Sequence, residues 1–148
     1  MYKHILVATD GSRLSAKAVK AAVRLAKTCN ARLAGIYAVQ PYPNPVYSEG
    51  AAFGPRMSRA RYAALAEREG RKVLAGVEIE AQTAGLPYSS LLVTDAQPWK
   101  AITRAARAKR CDLIVMASHG RRGLSALLLG SETSKVLAHS KVPVLVCR

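Results

Sequence analysis

Five short apolar runs, separated by stretches with helical spacing, constrain this chain more than any single motif does. The runs are HILVATD (4–10), ARLAGIYAV (31–39), SSLLVT (89–94), CDLIVMAS (111–118) and VPVLVCR (142–148). Most are near-continuous blocks of Val, Ile, Leu and Ala, the pattern of parallel strands buried on both faces. Between them, Ser12 can cap a helix over 13–29, with Ala16, Val19, Val23 and Ala26 on its inner stripe. A second helix is expected over 57–75, and a third from Pro98, which suits a first turn, to about 110. A fourth is expected over 131–140. The stretch from Val77 to Val93 holds the SSLLVT strand and an unassigned segment before it. The order β-α-β-α-β-α-β-α-β predicts an α/β fold, a doubly wound parallel sheet with helices on both faces. At 148 residues a single domain over 1–148 is expected. Residues 40–55, QPYPNPVYSEGAAFGP, with four prolines and two glycines, read as a surface loop or lid.

Composition excludes several classes. Half of the residues are hydrophobic, so a packed core rather than disorder is expected. No apolar run approaches the roughly 18–20 residues of a membrane span. The start, MYKHILVATDGS, is too short in its apolar part for a secretory signal. A soluble, cytoplasmic protein is the expectation. Cys29, Cys111 and Cys147 are odd in number and scattered, which suits small buried thiols better than disulfides or zinc. Lys and Arg number 23 against 9 Asp and Glu, leaving +14, enough to attract polyanions. Lys100, Arg104 and Arg107 are spaced to share one helix face. With 5% aromatic residues and no aromatic-interleaved motif, a solvated basic surface is expected there and nucleic acid is not an expected partner. Trp99, beside Pro98, reads as an apolar anchor.

Candidate chemistry gathers at two strand ends. In doubly wound sheets, ligands bind beyond the carboxyl ends of strands where strand order reverses. The first strand ends ATDGS, placing Asp10 at its carboxyl edge. The fourth runs into MASHGRRGLSALLLGSET, residues 116–133, which has glycine breaks and a hydroxyl-rich helix start at Gly130-Ser131. A carboxylate at Asp10 can accept hydrogen bonds from a ribose diol. Backbone N–H groups near Gly120 and at the helix after Gly130 can hold phosphates, although capping by Ser131 explains that helix start without a ligand. The chain contains no GxxxxGK[S/T], and no GxGxxG follows the first strand. His4, His119 and His139 lack ligand-spaced partners, and Ser125 lacks the flanking glycines of a nucleophile elbow.

These residues resemble the universal stress protein family along essentially the whole chain, most closely in HILVATDGS, DLIVMASHGRRGLSALLLGSET and SKVPVLVCR. Nucleotide-binding members carry Gly, two residues, Gly, nine residues, then Gly-Ser or Gly-Thr. Gly120, the nine residues Arg121 to Leu129, and Gly130-Ser131 match the second half, and Ala117 replaces the first glycine. A positive φ at that position would disfavour Ala. The resemblance implies a five-stranded parallel sheet in order 3-2-1-4-5 and an adenine nucleotide, ATP or AMP, held between strands 1 and 4. Asp10 would then lie at the ribose, with Thr9 among the binding residues beside it, and the backbone near Ala38 at the adenine. Gly120, Gly130 and Ser131 would lie at the phosphates, with Met116, Ala117, His119, Arg121, Glu132 and Thr133 nearby. Glu132 is an unfavourable charge for a triphosphate unless a divalent cation (Mg or Mn) intervenes. The family also implies a homodimer through Pro143–Arg148, a covering for a short apolar edge. A stress-response or regulatory protein is expected, acting through nucleotide-dependent ordering of the 40–55 loop toward a protein partner. No positioned base or γ-phosphate lysine is visible, so any ATP hydrolysis is expected to be slow. The alternatives are a member that has lost nucleotide binding and acts through protein contacts, and a basic nucleic-acid-binding protein.

Overall fold

The sheet is built outward from β1 (His4–Ala8), every residue of which is buried. In the computed structural model, which describes residues 1–43, 57–121 and 129–148, the chain continues through α1 (Arg13–Cys29), β2 (Arg32–Val39), α2 (Arg59–Thr83), β3 (Tyr88–Thr94) and α3 (Pro98–Ala108). It ends with β4 (Leu113–Ala117), α4 (Ser131–His139) and β5 (Val144–Cys147). Most of the Pro/Gly-rich 40–55 stretch, and residues 122–128 of the glycine motif with Ser125, lie outside the described residues. The five strands form one sheet in the order β3-β2-β1-β4-β5, and every pairing is parallel. This is the expected fold.

Side-chain alternation along the strands sorts the core into two layers. Ile5 and Val7 of β1, with Leu33, Leu113 and Val115 from its neighbours, face α1 and α2. Leu6 and Ala8, with Ala34, Ile36, Ile114 and Met116, face α3 and α4. Because both faces of the central strands are covered, their sequence carries no polar alternation. Each fully buried Ile, Leu or Val contributes about 1.5–3 kcal/mol relative to exposure.

The helix ends follow local chemistry. Ser12 caps α1 by accepting from Ser15 N at 3.1 Å, and Asn30 closes it in the left-handed region at φ 53. The buried stripe of α1 is Ser15, Ala18, Val19, Ala22, Val23 and Ala26. Ala16, placed on that stripe by sequence spacing, is exposed, because the face turns about 100° per residue and Ser15 takes the inward position. Two other expectations change. Ser131 does not cap α4: Gly130 holds the cap position and Ser131 is the first helical residue. Helix α2 does not end near residue 75 but runs to Thr83. Gly70, Leu74, Val77 and Ala81 are its buried residues, spaced by four, three and four, so the helical stripe continues through the previously unassigned segment.

Trp99 is half-buried against the α3 layer, its ring 4.4 Å from that of His139 at the end of α4. The cysteines are free, and burial pushes the Cys111 thiol up to about 11, a structural rather than reactive thiol. Among the described residues no helix is long and apolar enough to cross a membrane.

Two measurements check this account. Val77 is 3% exposed and Ile79 63% exposed, a difference that a period-two strand could not produce. Val77→Ala is expected to cost about 1–3 kcal/mol in urea unfolding, and Ile79→Ala to stay within about 0.5 kcal/mol of wild type. Asp112, just before β4, accepts from Lys3 N at 2.7 Å and His4 N at 3.0 Å. Partial burial pushes its carboxyl up, but these hydrogen bonds outweigh it and the group is held below its ordinary value. A depressed folded-state value gives stability that is present above the unfolded value near 3.9 and lost as pH falls through the folded one. Asp112→Asn is therefore expected to lower stability at pH 7 by roughly 1–3 kcal/mol. Unfolding midpoints measured from pH 7 to about pH 2 should converge for the two proteins at the acid end.

Candidate functional site

At the carboxyl ends of β1 and β4 the strand order reverses, and the connections leaving these strands diverge to opposite faces of the sheet. The gap between them is a cleft of about 830 Å³, within the size range of small-ligand sites. All twelve residues singled out by sequence line it: Thr9, Asp10, Ala38, Met116, Ala117, His119, Gly120, Arg121, Gly130, Ser131, Glu132 and Thr133.

On the β1 side, Asp10 accepts from Ser12 N at 3.0 Å and, across the cleft, from Arg121 N at 2.8 Å. Burial pushes its carboxyl up, but hydrogen bonds from Ser12, Arg121 and Ser15 outweigh that and hold it below the usual range. Asp10 is thus an ionised acceptor at neutral pH. Gly120 permits this meeting, since a Cβ there would lie 2.5 Å from Asp10 Oδ2. Thr9 does not face outward as a free hydroxyl: its Oγ1 accepts from Gly11 N at 3.2 Å and lies 3.0 Å from Ser15 Oγ.

On the β4 side, two hydrogen bonds dock the start of α4 onto the strand end. Gly130 N donates to Ser118 O at 2.8 Å, and the Thr133 hydroxyl donates to Ala117 O at 2.9 Å. A Cβ on Gly130 would stand 3.0 Å from the Cα of His119, so a larger residue would press on this approach. Ala117 ends β4 and is nearly buried. It is absent from the positive-φ residues, which among the described non-glycines are Asn30 and Arg110. The methyl group thus sits on ordinary backbone.

The helix starts differ in a way that matters chemically. Ser12 and Ser58 cap α1 and α2 with their own side chains. Gln97 gives α3 no such cap, and Glu132 Oε2 supplies it from a distance, accepting from Trp99 N at 2.8 Å. Lys135 Nζ approaches the other oxygen of Glu132 at 3.3 Å. Glu132 therefore turns toward α3 instead of standing over its own helix start. Gly130 gives α4 no side-chain cap, and among the described residues no side chain caps its first turn. Residues 130–133 line the cleft, which sets the first-turn N–H groups and the positive dipole end there, a setting that favours an anion.

The opposite wall was not anticipated from sequence. Tyr37 of β2 and Tyr62, Leu65, Ala66 and Glu69 of α2 line it. Burial pushes the Tyr37 phenol up, keeping it a neutral hydroxyl at pH 7. Arg121 reaches this wall, its Nη2 lying 3.1 Å from Glu69 Oε1. Both side chains are nearly half exposed, so the pair closes the cleft mouth weakly. The spacing of 62, 65, 66 and 69 places these residues on one helix face, a signal that was present in the sequence. Among the described residues no group of three His, Cys, Asp or Glu is placed to hold a metal ion.

Comparison with known proteins agrees with this architecture. The model of the universal stress protein family matches residues 1–148. A universal stress protein of Thermus aquaticus is 36% identical over the whole of both chains. Among solved structures, a universal stress protein family member from Burkholderia pseudomallei is 28% identical with a TM-score of 0.75, covering 98% of this chain and 95% of that one. A universal stress protein solved in complex with cAMP is 28% identical with a TM-score of 0.71, covering 99% of this chain and 97% of that one. With the family model spanning the whole chain and a relative matched end to end, the chain belongs to the universal stress protein family.

Proposed function

We propose that this chain binds an adenine nucleotide in the β1–β4 cleft and acts as a cytoplasmic stress-response or regulatory protein, a homodimer through the β5 edge. The observation that carries the reading is the uncapped α4 N-terminus, set in the same cleft as the ionised Asp10. Phosphate oxygens would accept from the first-turn N–H groups of Ser131, Glu132 and Thr133 and from the Gly120 region. Asp10 would accept from a ribose hydroxyl, exchanging its bond to Arg121 N, and the base would lie along the backbone at Ala38 with Tyr37 and Tyr62 nearby. The relative solved with cAMP supports an adenine nucleotide as the ligand class. ATP and AMP are the expected occupants, and cAMP joins them as a ligand to test.

The described residues do not build a cation cage. Glu132 uses its oxygens on Trp99 N and Lys135, and no three-ligand group is available among the described residues. A divalent cation therefore has no assigned role in this reading. Ala117 does not argue for loss of binding, because its backbone needs no glycine. For dimerisation, the support is an edge strand of four residues on which Leu145 is 41% exposed.

Mass spectrometry of small molecules released by denaturing the purified protein, followed by calorimetric titration with ATP, AMP and cAMP, tests the reading. At a ligand concentration 100 times Kd, the folded state should gain about 2.7 kcal/mol. Gly130→Glu would crowd His119 and set a carboxylate at the α4 start. It is expected to weaken binding at least about tenfold while the circular dichroism spectrum stays that of the wild type. A native protein that releases no nucleotide and gains no thermal stability from any of the three would overturn the proposal.

A further inference from the structure

We propose that α1 is a docking ridge for the phosphate backbone of duplex nucleic acid, engaged without reading base sequence. Arg13, Lys17, Lys20, Arg24 and Lys27 are spaced by four, three, four and three residues along α1, and all five are exposed. That spacing aligns them in a single ridge about 21 Å long, one cation every ~5 Å. The helix contains no acidic residue, and among the described residues none of the five makes a salt bridge.

Apart from Lys27, whose place in the last turn suits the dipole, the ridge does nothing for the helix that carries it. Arg13 opens α1 at the positive end of the dipole, with no acidic residue in the first turn. Like charges face each other at each three- or four-residue step along it, an arrangement that destabilises a helix. A partner bearing regularly spaced negative charge removes both penalties at once.

The basic face marked by sequence spacing alone is different. On α3, Arg104 bonds Asp95 at 2.5 Å, and Lys100 lies over the Trp99 ring at 5.4 Å. Two of its three cations are thus engaged within the chain, whereas the α1 cations project free of described ion pairs. The two helices lie on opposite faces of the sheet, so they can be tested separately.

The chemistry of the ridge selects the partner. The exposed residues of α1 other than its cations are Ala16 and Thr28, which offer nothing apolar to insert into a bilayer. A linear polyanion can follow α1 alone. The helix has no aromatic residue on which unpaired bases could stack, so the expected contacts are to duplex phosphates, which supply affinity without sequence specificity.

The test is fluorescence anisotropy of a labelled duplex of about 24 base pairs, titrated with the full-length chain across a salt series. With about five phosphates engaged, log K should fall with log salt at a slope near −4.5, about −0.9 per contact. The triple variant Lys17→Gln, Lys20→Gln, Arg24→Gln should make the slope shallower by about 2.7 and melt no lower than wild type, since it relieves repulsion within the helix. A control triple on the other face, Lys100→Gln, Arg107→Gln, Lys109→Gln, removes the same three charges and should leave the slope near its wild-type value. Equal losses in both triples would reduce the effect to net charge and overturn the proposal. An unchanged slope in the α1 triple would overturn it too, as would equally tight, equally α1-dependent binding to phosphatidylserine vesicles.

Discussion

The pairing of β1 with β4 is the contact on which the rest of the molecule depends. Having built outward to the β3 edge, the chain crosses back and lays β4 on the free side of β1, with Ile5, Leu6 and Val7 opposite Leu113, Ile114 and Val115. This reversal separates the connections at the strand ends and makes a cleft there. Carboxylates pin the pair at both ends in opposite senses. Below, Asp112 at the start of β4 accepts the amides that open β1. Above, Asp10 at the end of β1 accepts the amide of Arg121 beyond β4. The lower clamp belongs to the fold. The upper one lies in the cleft, where an incoming hydroxyl can compete for the same oxygen.

What was legible in the sequence followed from how completely each element is buried. β1 and β4, buried at every residue, appeared as unbroken apolar runs. β3, an edge strand of half-buried and exposed positions, gave the weaker signal. The end of α2 lay in the segment left unassigned, where Val77-Glu78-Ile79-Glu80 alternates as a strand would. Burial of Val77 and Ala81 on the helical stripe decides the matter and outweighs the ~1 kcal/mol that Gly76 costs in a helix interior. The strand order itself came from family resemblance, since nothing in the local pattern of a parallel sheet says which strand lies beside which.

The site was half legible for a similar reason. One wall is built by a contiguous motif whose glycines make close approaches: Gly120 to the Asp10 carboxylate and Gly130 to the His119 backbone. The other wall draws Tyr37 from β2 and Tyr62 and Glu69 from α2, residues on either side of a long connection with no motif among them. Spacing can show that Tyr62 and Glu69 share a face. Only the packing of α2 on β2 shows that the face looks into the cleft.

Glu132 shows how tertiary structure can reverse the meaning of a charge. Beside a glycine helix start, a carboxylate reads as repulsion toward a bound anion. In the folded chain it serves α3, whose Pro98 start and Gln97 cap position leave Trp99 N in need of an acceptor. Its approach to Lys135 offsets part of what charge remains. Helices α1, α2 and α3 thus all begin under a side-chain acceptor, and α4 begins under a glycine that supplies none. If Gly130 were a serine, its hydroxyl could close that last open start, while its Cβ would press the helix away from Ser118 and His119. The same absent side chain therefore gives the amides no cap from residue 130 and holds them at the cleft, so docking α4 on β4 and leaving its N-terminus uncapped by its own first residue are one structural requirement.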